Sequence, residues 1–190
     1  MSQIWFTSDL HLGHNKPFLY EPRGFTNIYD HDDAIISHIN NTVSHDDELY
    51  ILGDLMLGDN EAGIRKIKQI KCPIHIIRGN HDSDARMELY DKCYNVIEIC
   101  EGKFFKYGKY HFYLSHFPCI VSNYDEDKSL KQRMISLAGH SHYKDKFADI
   151  DKGLIYHIEL DAHNNYPVSI DEIINDIKNY KRRIFNENPE

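Results

Sequence analysis

Short, mainly apolar runs at residues 4–8, 48–52 and 73–77 alternate with stretches of helical period. Each run is bounded by Gly, Pro, Asn or Asp and is too short for a helix, so all three are predicted as buried strands. Ile35, Ile36, Ile39 and Val43 predict an amphipathic helix over about 32–43, and Ile64, Ile67 and Ile70 a second over 60–70. Residues 15–30, rich in Pro, Gly, Asn and aromatics, read as a long surface loop. Strand–helix–strand alternation predicts parallel strands joined by crossovers. After a short helix near 84–90 the pattern changes to hairpins over 94–99, 103–107 and 110–115, with Gly108-Lys109 as a two-residue turn. Residues 122–133 read as polar loop, 135–138 and 154–160 as strands, and 170–185 as a final helix with Ile173, Ile174 and Ile177 inward.

Polar groups with metal or proton chemistry gather where these strands end. Asp9-x-His11 follows the first, Gly53-Asp54 the second, and Gly79-Asn80-His81-Asp82 the third. In a parallel sheet the carboxyl ends of the strands share one edge, where ligands bind, so Asp9, Asp54 and Asn80 are expected to converge there. Residues at i and i+2 leave a strand on the same side, so Asp9 and His11 can face one cation. Gly79 is read as supplying the backbone freedom for its turn. His116 and Gly139-His140-x-His142 end two later strands.

Composition narrows the chemistry. Thirteen histidines against four cysteines, with no C-x-x-C spacing, favour manganese, iron, zinc or nickel held by nitrogen and oxygen rather than thiolate. A net charge of −8 disfavours an extended nucleic-acid surface. No apolar run approaches the roughly 18 residues of a membrane span, and the N-terminus shows no basic leader, so a cytoplasmic chain is expected. The length of 190 residues suits a single domain, 1–190.

The ordered series Asp9-x-His11, Gly53-Asp54, Gly79-Asn80-His81-Asp82, His116 and Gly139-His140-x-His142 resembles the calcineurin-like metallophosphoesterase superfamily, in its small bacterial and phage members. The resemblance implies an α/β four-layer sandwich, two mixed sheets face to face flanked by helices. It implies two divalent ions, one held by Asp9, His11, Asp54 and His142, the other by Asp54, Asn80, His116 and His140, with Asp54 bridging. A hydroxide between the ions would attack phosphorus in line. His81 would stand by the leaving group, oriented by Asp82. Phosphodiesterases and phosphomonoesterases share this ligand set. With only 15–31 and 117–134 free to form a lid, an open site is expected, favouring diesters or nucleotide-derived phosphate esters.

Bland readings compete residue by residue. His116 alone would be a packed histidine, and only the series makes it a ligand. Asp161-Ala162-His163 repeats the Asp-x-His spelling but is read as a decoy, because two ligand sets are complete without it. His75, His111 and His157 lie within strand patterns and read as packed or surface residues. His14 and Arg23 follow the first strand near the expected mouth, as candidate substrate contacts. Arg23 could fork a phosphate oxygen or be solvated. A protein-interaction scaffold of the same fold, or a nuclease, remains as an alternative class. The intact His81 position favours an enzyme, and the lack of a basic groove disfavours a nuclease.

Overall fold

Strands β1 (Ile4–Thr7), β2 (Glu48–Leu52) and β3 (Ile74–Ile77) lie parallel, with Ile4 opposite Glu48 and Leu49 opposite Ile74. The computed structural model describes residues 2–120, 134–148 and 154–187, with side chains to residue 180. Both faces of the sheet are buried, as near-continuous apolar strands require. Leu49, Ile51, Ile74 and Ile76 face one way, toward α2 (Ile28–Thr42), α3 (Asn60–Ile67) and α4 (Asp84–Asp91). Phe6, Tyr50, Leu52 and Ile77 face the other way, into a second core. The helix α2 begins earlier than its apolar period, because the Asn27 side chain accepts a bond from the Asp30 N–H and caps it there. The expected 15–30 loop also contains a short helix, α1 (Pro17–Tyr20).

The strand β4 (Val96–Cys100) is not part of a hairpin as its sequence suggested. It pairs parallel to β3 and forms the edge of the first sheet. An alternating strand pattern does not record the direction of its neighbour, and α4 supplies the crossover that makes it parallel. Only β5 (Lys103–Tyr107) and β6 (Tyr110–Leu114) form the expected hairpin, turning at Gly108 with φ +56°.

The second sheet is ordered β5, β6, β7 (Ile135–Ala138), β9 (Ile155–His157) and β8 (Phe147–Ala148). Here β6, β7 and β9 run parallel, so crossovers rather than hairpins build its centre. Its Phe112, Leu114, Leu137 and Tyr156 pack against Phe6, Tyr50, Leu52 and Ile77 of the first sheet. The first sheet ends on β10 (Val168–Ser169), antiparallel to β1. Helix α5 (Ile170–Glu187) follows and inserts Ile173, Ile174 and Ile177 into the same core. Two five-stranded mixed sheets, face to face with flanking helices, are the architecture the resemblance implied. The expected loop at 122–133 lies outside the described residues.

The sheets meet at the carboxyl edge of β1. Ser8 bridges to Glu159, just past β9, and the Leu160 N–H donates to the Ser8 carbonyl at 3.4 Å. A 3-10 turn at Leu160–Ala162 replaces the last part of the strand expected over 154–160. Strand ends from both sheets are therefore held against one another. Among the described residues no helix is long and apolar enough to cross a membrane.

Candidate metal centre

Past the ends of β1 and β2 the two chains stay paired while their conformation changes hand. The N–H groups of Asp9, His11 and Leu12 donate to the carbonyls of Gly53, Asp54 and Leu55 at 2.9–3.0 Å. Asp9, His11, Asp54, His140 and His142 all have positive φ, between 49° and 72°. Left-handed backbone costs a non-glycine residue about 1–3 kcal/mol, and such strain concentrates at functional sites. Here it turns these side chains out of the sheets and toward one point.

Seven predicted donors converge there. His11 Nε2 lies 3.3 Å from His142 Nε2, 3.8 Å from Asp9 Oδ1 and 3.7 Å from Asp54 Oδ2. His116 Nε2 lies 3.5 Å from the same Asp54 Oδ2 and 2.8 Å from Asn80 Oδ1. His140 Nδ1 approaches Asn80 Oδ1 at 2.9 Å. The donors form two overlapping groups, Asp9–His11–His142 and Asp9–Asp54–His116, in each of which the ligand atoms lie within 4.8 Å of one another. Asp54 sits between His11 and His116, and His81 Nε2 stands at the margin, 3.9 Å from Asp54 Oδ2.

The supports explain why the donors point inward. His116 Nδ1–H donates to the Leu52 carbonyl at 2.8 Å, which leaves Nε2 as a lone-pair donor. His142 does the same through Asp161, Nδ1 to Oδ2 at 2.9 Å. The Asp9 Oδ2 atom accepts from Ser8 Oγ at 2.6 Å and from the His140 N–H at 2.9 Å, freeing Oδ1. Asp82 is buried and accepts from the N–H groups of Asp54, Leu55 and Gly79 and from Tyr90 Oη. Its carboxylate therefore braces the Asp54 turn, and its contacts are to these groups rather than to the His81 ring. Gly79 is needed for space rather than for an unusual φ, since a Cβ there would strike the Asp54 carboxylate and backbone nitrogen.

The sequence profile of the calcineurin-like phosphoesterases matches residues 2–183. The chain belongs to that family. The chain is 30% identical over 179 residues to an uncharacterized protein of Methanocaldococcus jannaschii, covering 92% of this chain and 90% of that one. It is 29% identical over 203 residues to the gene 66 protein of Mycobacterium phage D29, covering 94% and 98%. A crystal structure of an Aquifex aeolicus protein of unknown function superposes with a TM-score of 0.70 over 92% of this chain and 99% of that one. At 20% identity, that likeness shows the fold.

The donor set fits divalent cations on its own chemistry. Among the described residues Asp9 Oδ1 is buried without a hydrogen-bond partner, which a protein avoids unless something else meets such an atom. Burial, with His142 and Arg23 beside it, lowers the His11 pKa to about 2, so its ring is a neutral donor. Burial raises the pKa of both Asp9 and Asp54.

Two expectations about the mouth change. Arg23 does not lie in solvent; its guanidinium is engaged within the protein. It is 7% exposed, and its guanidinium bonds both Asp161 oxygens at 3.1 and 2.7 Å, the Asp9 carbonyl at 2.9 Å and His31 Nε2 at 3.2 Å. Asp161, read as a decoy, is the carboxylate that orients His142. Burial works to raise its pKa, but hydrogen bonds from His142 and Arg23 hold it well below the usual carboxylate range. His14 does line the mouth, its ring 5.7 Å from that of His11. A cleft of about 630 Å³ opens in front of His11, His14, His81 and His142, with Phe18 and Leu57 on its wall.

Proposed function

We propose that this chain hydrolyses phosphodiesters with two divalent ions, one held by Asp9, His11, Asp54 and His142 and the other by Asp54, Asn80, His116 and His140. The observation that carries the reading is Asp54 Oδ2, 3.7 Å from His11 Nε2 and 3.5 Å from His116 Nε2. Asp54 thus lies within reach of one histidine from each proposed ligand set, beside Asp9, which the two compact donor groups have in common. Mixed nitrogen and oxygen donors suit manganese, iron, zinc or nickel. When bound, such ions supply Lewis acidity and an acidified water at neutral pH.

The chain's own residues do the rest. Asp161 and the Leu52 carbonyl keep the Nδ1 protons on His142 and His116 and so present Nε2 inward. Asp82 and Arg86 hold the 79–82 turn, with Arg86 Nη1 donating to the His81 carbonyl at 2.5 Å. The His81 side chain is 43% exposed at the edge of the group. From there it donates its proton to the departing alkoxide as water adds to phosphorus and the bond to the alcohol breaks. The products are a phosphomonoester and an alcohol.

Preference for diesters rests on room around the centre. Phe18 reaches the His11 side through His14, and Phe117 lies edge-on to His116 and His140 at ring distances of 5.1 and 4.8 Å. Exposed side chains thus flank both ligand groups, which suits a phosphorus with two substituents. The free cysteines accord with action in a reducing cytoplasm. Metal-reconstituted protein assayed against matched mono-, di- and cyclic phosphoesters tests the reading. Higher kcat/KM on diesters is expected, and exclusive turnover of monoesters, or of none, would refute it.

A further inference from the structure

The cleft before His11 and His81 is chemically lopsided. Its floor is imidazole with the Asp161 carboxylate, which Arg23 and His142 bond, while Phe18, Leu19, Pro22 and Leu57 make an apolar wall. Phe18 follows Pro17, which fixes the first turn of α1, and the helix buries Leu19 but leaves the phenyl ring 72% exposed. A single exposed apolar side chain needs no explanation by itself. The position of this one does: its ring meets His14 edge to face at 5.7 Å, and His14 in turn lies 5.7 Å from the ligand histidine His11. An open aromatic face thus stands beside the reaction centre. Lys144 lines the same cleft and has no ion-pair partner among the described residues, so a cation is available to an anionic ligand in a chain of net charge −8.

Taking the phosphodiester reading as its basis, we propose that this wall is a base subsite, in which Phe18 stacks on the nucleobase of a nucleotide-type phosphodiester whose phosphate lies at the histidine floor. A flat ring of any base offers a face to a phenyl group, so Phe18 selects for the presence of a base rather than for its identity. The volume and the acidic charge of the chain suit mononucleotide-scale esters rather than long strands. Phe18 is therefore a specificity-determining residue.

Calorimetric titration of the manganese-loaded protein with AMP and with ribose 5-phosphate isolates the base, because both ligands carry the same phosphate. AMP should bind about tenfold more tightly, the scale of one base–aromatic stack. Phe18→Ala should erase that advantage and leave ribose 5-phosphate affinity unchanged, and Phe18→Trp should restore it. Equal affinities in the wild type, or a Phe18→Ala variant that weakens both ligands alike, would overturn the subsite. Turnover of bis(p-nitrophenyl) phosphate reports separately on the hydrolytic reading. Turnover without an AMP advantage sinks only the subsite, and an AMP advantage without turnover sinks only the hydrolase.

Discussion

The Asp82 carboxylate accepts the backbone N–H of Asp54 at 2.7 Å, across 28 residues of sequence. With the bonds from Leu55, Gly79 and Tyr90 Oη, this contact holds the central carboxylate in its left-handed turn. Asp82→Ala leaves those donors buried and unpaired, so unfolding free energy should fall by about 2–5 kcal/mol. Manganese affinity should weaken with it. Chemical denaturation and metal titration of the same variant check both. A variant as stable as wild type would mean that the brace is dispensable.

His142 depends in the same way on Asp161, which fixes its tautomer. Asp161→Asn keeps the shape and removes the charge, and metal affinity should drop about 10–100-fold. Rate should recover when manganese is raised. Arg23→Ala should lower both thermal stability and metal affinity, because Arg23 braces Asp161 and the Asp9 carbonyl. A pure KM effect would return Arg23 to a role in substrate binding.

The convergence of the series was legible because each member follows a strand end or a glycine, and that spacing is local. What stayed hidden depends on distant partners. Asp161 meets Arg23 from 138 residues away, and nothing in the spelling Asp-Ala-His separates an orienting carboxylate from a coincidence. Asp82 adjoins His81 in sequence, yet its turn aims it at Asp54 instead. The fold shows the same limit: the pattern of β4 identifies a strand, and its parallel partner β3 is set by the α4 crossover. Pro17 and the polar residues around it masked α1, whose four residues carry almost no period of their own.

A buried histidine outside the centre sets a pH dependence. His163 donates Nε2–H to the His157 carbonyl at 2.9 Å, and burial lowers its pKa from 6.5 to about 4. The unfolded chain therefore takes up this proton near pH 6.5, and the folded one only near pH 4. Its contribution to stability is whole above pH 6.5 and is lost as pH falls through that window, by about 3 kcal/mol in all. Urea unfolding of wild type and His163→Gln between pH 7 and 4 should show a shallower decline in the variant. Parallel curves would show that His163 does not titrate in this way.

His81 and Asn80 share a turn, but we assign them different work. His81→Ala should keep both ions and lose about 10²–10⁴-fold in kcat, because proton donation to the leaving group is removed. The loss should shrink with nitrophenolate, which departs unprotonated, and be largest with a ribose alkoxide. Asn80→Ala should instead weaken metal occupancy, with rate partly restored by added manganese. Equal losses for His81→Ala on both leaving groups would remove the proton-donor role.

The central claim is a pair of ions sharing Asp54, and direct metal counting tests it. Elemental analysis of protein saturated with manganese and freed of excess metal should find two ions per chain. Asp54→Ala should hold fewer under the same conditions. One ion per chain in the saturated wild type, or an undiminished count in Asp54→Ala, would contradict the shared centre.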